Sequence, residues 1–144
     1  MELSTSLNIF WDVGVEIEQA IERCAEAGFE ALDFNLTDGG GGDGLALEVS
    51  QIVVNKSGTG TFSGVTWLLN GPDASDVVGA VGASTITFSG LSISVAEASS
   101  EVYTVSGYFN DLSTVTLGDT YLLSLDGDTD LTLVSTGSAA ATQP

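Results

Sequence analysis

The sequence predicts a mainly β protein: an antiparallel β-sandwich of about seven strands, preceded by a short strand-helix-strand segment. Three observations predict it. From Leu45 onward, runs rich in Val, Ile, Thr and aromatic residues follow one another at short, regular spacing. Turn signals separate most of them: Lys56-Ser57-Gly58, Asn70-Gly71-Pro72-Asp73, Ser89-Gly90, Asn110-Asp111 and Asp126-Gly127. Where the pattern is clearest, apolar Ile86, Phe88, Leu91, Ile93 and Val95 are interleaved with Thr85, Thr87, Ser92 and Ser94. That is the period of a half-buried strand.

Residues 1–38 differ from the rest. Leu3 to Phe10 alternates as a strand. Val15 to Phe29 carries Ile17, Ala20, Ile21, Cys24 and Ala25 on one helical face and Glu16, Glu18, Glu22, Arg23 and Glu26 on the other. Gly28 follows as the residue that ends the helix. Glu30 to Leu36 resumes as a strand, so the segment reads as a βαβ unit with parallel strands. Its glutamates read as a solvated face. Glu18–Glu22 and Glu22–Glu26 are like-charge pairs one turn apart, which weakens the isolated helix. Thr37 to Gly44 holds five glycines in eight residues, and residues 39–44 read as a flexible linker. With no following Lys and with acids beside it, this run is not a phosphate-binding loop. The strands expected beyond it are Leu45–Asn55, Gly60–Asn70, Ser84–Ser89, Leu91–Ala96, Val102–Asn110, Tyr121–Leu125 and Leu131–Ser135. They form a domain over 45–135, with 136–144 as a Ser/Thr/Ala-rich tail.

Composition narrows the function classes. The 144 residues carry 20 acids against Arg23 and Lys56, a formal charge of −18, and no histidine. Such a surface repels phosphate backbones and anionic lipid, so nucleic acid and membrane insertion are not expected. The absence of histidine removes Ser-His-Asp and Cys-His catalysis and the usual zinc and copper sites. Apolar residues make up 43 %, enough for a packed core. Cys24 stands alone, so no internal disulfide forms, and its place on the apolar helix face reads as a small buried hydrophobe. The few basic residues suit an extracellular or high-salt protein. The N-terminus does not read as a secretory signal.

Two resemblances follow from particular strings. Leu3-Ser4-Thr5-Ser6-Leu7-Asn8, Arg23-Cys24-Ala25-Glu26-Ala27-Gly28-Phe29 and Leu32-Asp33-Phe34-Asn35 resemble the first βαβ unit of sugar-phosphate isomerases and epimerases of the xylose-isomerase-like barrel family. The likeness covers about a quarter of the chain. In that family, metal-binding Glu, Asp and His residues lie on later barrel strands that this sequence lacks, and 144 residues are too few to close a barrel. The resemblance implies an inactive fragment fused to a β domain. Ile86 to Val95, Glu101 to Phe109 and Leu117 to Leu125 resemble β-sandwich repeats of bacterial and archaeal surface proteins. That likeness implies a structural or adhesive module without chemistry.

Asp126, Asp128 and Asp130 are the candidate metal ligands. Acids at alternate positions, with Asp111 and Asp119 upstream, offer the hard oxygens that Ca²⁺ takes. Leu131 and Gly137 fill the sixth and twelfth places of the would-be loop, so it is not an EF-hand. The competing reading is a tight Asp126-Gly127 hairpin turn with its acids in water. Glu48, Asp73, Asp76, Glu97 and Glu101 are available for glycoside hydrolysis, but no spacing singles out a pair. Trp67, Tyr103, Tyr108 and Phe109 are the candidates for a sugar-stacking platform; Trp67, within Val65 to Leu69, reads as core. Asn35-Leu36-Thr37 and Asn55-Lys56-Ser57 match the N-glycosylation pattern.

The expectation is a non-enzymatic extracellular or cell-surface module, structural or adhesive, with no cofactor. It self-associates through sheet edges into a filament or surface layer. The alternatives are a carbohydrate- or calcium-binding module and the fused isomerase fragment.

Overall fold

β-branched and aromatic residues alternating with Ser and Thr give each strand one apolar face, and that face must be buried against another layer. The computed structural model describes residues 29–38, 42–127, 129–135 and 137. The expected first strand, the helix with Cys24, Gly39 to Gly41, Asp128 and most of the tail lie outside the described residues. Nine strands are described: β1 (Phe29–Thr37), β2 (Leu47–Ser57), β3 (Val65–Gly71), β4 (Ala74–Val78), β5 (Ala80–Val81), β6 (Thr85–Val95), β7 (Ser100–Phe109), β8 (Leu122–Ser124) and β9 (Leu131–Leu133). The protein is mainly β, with two antiparallel sheets. One has the order β1-β7-β3-β4; the other has β5-β6-β2-β8, with β9 also on β2.

Both sheets contribute to one apolar core. Leu36, Val65, Trp67, Leu69, Tyr103 and Val105 come from the first sheet. Leu47, Val49, Ile52, Val54, Ile86, Phe88, Leu91, Ile93 and Val95 come from the second. The strand before the glycine run is part of this core. β1 pairs antiparallel with β7 from Phe29↔Gly107 to Thr37↔Ser100, and Leu36 is 3 % exposed.

Ser89-Gly90 does not end a strand. β6 is continuous over 11 residues, and Gly90, at φ +70°, forms a bulge inside it. The pairing steps from Val49↔Ile93 to Gln51↔Ser89, so Ser50 alone stands opposite Gly90, Leu91 and Ser92. The phase of both strands changes at this point. Leu47 and Val49 are buried before it on β2, and Ile52 and Val54 after it; on β6, Ile86 and Phe88 give way to Leu91, Ile93 and Val95. A strictly regular strand alternates with period 2 and cannot bury both sets. The coupled bulge lets both strands keep all their apolar residues inward. Turn and bulge share the same signature, a glycine at positive φ, so sequence alone does not separate them.

Two further differences come from weak local signals. The start of the expected strand at Gly60 is a 3-10 turn, Phe62–Gly64, that tucks the Phe62 ring under the sheet. The small and acidic residues Ala74 to Val81 carry little β signal, yet form β4 on β3 and β5 on β6. Between β4 and β5 the chain crosses from one sheet to the other through Gly79, whose N–H donates to the Trp67 carbonyl at 2.9 Å. A Cβ there would stand 2.6 Å from Ile86 and 2.8 Å from Phe88, so the crossing needs glycine. Gly79→Ala is expected to cost about 1–3 kcal/mol through overpacking, read as a lower urea midpoint with an unchanged m-value. An unaltered midpoint would refute this account of the crossing.

Candidate functional site

The aspartates singled out for Ca²⁺ surround the link between β8 and β9. β8 pairs with Asn55–Ser57 of β2 and β9 with Val49–Ile52, both antiparallel. The two short strands therefore run in the same direction along one edge of β2. The link is not a hairpin, which corrects the Asp126-Gly127 turn expected from sequence. The chain leaves the edge after β8, makes a compact turn and rejoins the same edge as β9.

Asp130 closes that turn. Its N–H donates to the Asp126 carbonyl at 2.9 Å, and its own carbonyl accepts from the Val53 N–H on β2 at 2.8 Å. Its side chain is 9 % exposed and points inward. Oδ2 accepts from the Asp126 N–H at 2.7 Å and from Asn55 Nδ2 at 2.6 Å. Oδ1 accepts from Thr129 Oγ1 at 3.3 Å. Hydrogen bonds to an ionised acceptor are the strong ones, and here they fasten the turn both to itself and to β2. The structure thus brings Asp126 and Asp130 together and gives the Asp130 carboxylate a bracing role, while Asp128 lies outside the described residues. Among the described residues no group of three or more Asp, Glu or Cys is placed to hold a metal ion.

Other loop acids are arranged in the same way. Asp43 Oδ1 accepts from the Leu45 N–H at 2.9 Å, Asp73 Oδ2 from the Ser94 N–H at 2.9 Å, and Asp119 Oδ2 from the Thr116 N–H at 2.8 Å. Asp111 Oδ1 accepts from the Ser113 N–H at 2.8 Å, and that bond holds its carboxyl below the ordinary range. Asp43 and Asp111, which accept from the N–H two residues on, are side-chain mimics of a backbone turn; Asp119 reaches back three residues within its own loop, and Asp73 reaches across to β6.

Protein-family models, curated proteins and solved structures contain no match to this chain. Its functional reading therefore rests on its own residues.

The four aromatic candidates separate by burial. Trp67 and Tyr103 are fully buried, Phe109 is half-buried and Tyr108 is exposed. Trp67 donates from Nε1 to the Phe62 carbonyl at 3.2 Å and stacks on the Phe62 ring at 5.7 Å. Phe62 meets Tyr121 at 5.0 Å, and Tyr121 meets Phe109 edge-on at 5.7 Å. Lys56 Nζ lies 4.7 Å from the centre of the Phe62 ring, within cation-π range, and donates to the Ala83 carbonyl at 2.8 Å. The indole and the Tyr103 ring thus pack inside the protein and present no face to a sugar. The sequence signals nothing of the Phe62-Tyr121 contact, which is made by loops far apart in the chain.

Burial also governs the tyrosines. Tyr103 donates to Glu101 Oε2 at 2.8 Å. Burial, then that bond and the Glu101 charge, pushes its phenol well above the ordinary 10.0. Tyr121 shifts the same way through burial and the Asp119 charge. An unfolded chain releases these protons near pH 10.0, whereas the fold retains them. Their contribution to stability is complete below that pH and is lost as pH rises through the folded values. In an alkaline titration followed by tyrosinate absorbance, Tyr103 and Tyr121 are expected to ionise only as the fold is lost. Early ionisation of all three tyrosines in a still-folded protein would contradict their burial.

Proposed function

We propose that the chain is a non-catalytic β-sandwich module of an extracellular structure, with a structural or adhesive role and no cofactor. Copies of it associate through sheet edges. The observation that carries the reading is the use made of the acids. Asp43, Asp111, Asp119 and Asp130 each accept a backbone N–H from the chain's own loops, and Asp73 accepts one from β6. These five carboxylates are thus committed to bracing the backbone. The single core fed by both sheets supports the sandwich architecture. The charge of −18 suits a solvated surface of low nonspecific adhesion. The resemblance of Ile86 to Leu125 to surface-protein repeats points the same way. No helix among the described residues is long and apolar enough to cross a membrane.

The test is electron microscopy with mass photometry over a concentration and salt series. Salt screens the repulsion between acidic copies, so assemblies that grow with both variables are expected. Discrete monomers under every condition would overturn the self-association part of the reading.

A further inference from the structure

We infer that β1 is an exchangeable strand, and that its seat against β7 can be filled by β1 of a second copy. The inference rests on the proposal that copies associate, and it identifies the element through which they do so. Among the described residues β1 is the edge strand of its sheet and pairs with β7 alone. β7 is held on its other side by β3 from Val65↔Phe109 to Asn70↔Thr104, so the seat keeps its frame when β1 leaves. The seat is specific. Leu36 enters the core, the Phe34 ring stacks on Tyr103 at 6.1 Å, Thr104 Oγ1 donates to Asp33 Oδ1 at 2.7 Å, and the Asp38 N–H donates to the Ser99 carbonyl at 3.0 Å. A vacated seat would expose the Tyr103 ring and Val105, an apolar surface that demands a strand.

The connection supplies the reach. β1 ends and β2 begins beside the short β6-β7 connection, so residues 38–46 have to cross only from one sheet to the next. That gap is about 10 Å, whereas nine extended residues reach about 30 Å. Gly42 and Gly44 lie in the left-handed region, at φ +72° and +73°, with open space around them. The surplus length lets β1 reach a neighbouring copy while β2 stays in place. Because a short tether gives an effective concentration in the millimolar range, a strand returns to its own seat in dilute solution and exchanges when copies are crowded, as in a layer or filament.

The test joins the strand to its seat. Asn35 and Val102 are register partners on β1 and β7. The variant Asn35→Cys with Val102→Cys, in a Cys24→Ser background, is oxidised at a series of concentrations and run on non-reducing gels beside mass photometry. Exchange predicts an interchain fraction rising at least fivefold between ~10 µM and ~1 mM, with ladders above the dimer. Assemblies that contain only intrachain disulfides would overturn the exchange and leave self-association standing. Absence of assemblies together with intrachain disulfides would overturn both. A second measurement does not depend on the variant folding: wild-type protein is mixed with a labelled peptide of residues 29–38. Incorporation that rises when the protein is concentrated supports an openable seat, and no incorporation under assembling conditions counts against it.

Discussion

Replacing Trp67 by Ala is expected to cost about 3–5 kcal/mol, the range for deleting a large buried aromatic side chain. The indole is fully buried, stacked on Phe62, and the partner of that residue's carbonyl. It lies over Gly107, its register partner on β7; a Cβ on Gly107 would sit 3.0 Å from the ring. The substitution therefore opens a void between the sheets and removes one of the two donors to the Phe62 carbonyl, leaving it the Val65 N–H. Set against the 5–15 kcal/mol typical of natural domains, such a loss brings the fold near its limit. Equilibrium unfolding in urea measures it. Trp67→Phe should recover more than half of the difference, because it restores most of the volume but not the hydrogen bond. A loss below about 1 kcal/mol for the Ala variant would mean that the indole is not the centre of the core.

Asp130→Ala is expected to cost about 2–3 kcal/mol. It removes hydrogen bonds to a charged acceptor and strands the Asp126 N–H and the Asn55 amide. Asp130→Asn should lose less, since its carbonyl can still accept one of them. A double-mutant cycle with Asn55→Ala should return a coupling of about 1–2 kcal/mol, whereas additivity would show that the two side chains do not act together. The same variants separate bracing from metal binding. If Asp130 braces the turn, ~1 mM Ca²⁺ leaves Tm unmoved in wild type and variant alike. If it ligates Ca²⁺, the metal raises Tm in the wild type and loses that effect in Asp130→Ala.

Much of the β architecture is legible in the sequence because it is written in local alternation. Tyr103 and Val105 on β7, and Ile86 and Phe88 on β6, all point inward as their period requires. What is illegible is long-range. Ser89-Gly90 marks an irregularity, but whether it turns the chain or bulges it depends on Ser50, which stands opposite on another strand. Ala74 to Val81 has little propensity of its own; it becomes strand because β3 and β6 present open edges to it. Asp126-Gly127 marks a turn correctly, but not its direction, which is set by β2. The bracing role of Asp130 depends on Asn55, 75 residues away, and no spacing rule reaches that far. The reading of Trp67 as core needed only its neighbours Val65, Leu68 and Leu69.

The interruption between β8 and β9 bears on where another chain can add. A very short edge strand leaves little open backbone for another chain to pair with. In the second sheet, β5 has two residues, and β8 and β9 have three each, split by the turn that Asp130 ties. In the first, β1 has nine and β4 has five. Under the association proposed above, growth by strand addition would favour the longer flanks of the first sheet over the interrupted β8–β9 flank, and a chain of such modules would acquire a direction.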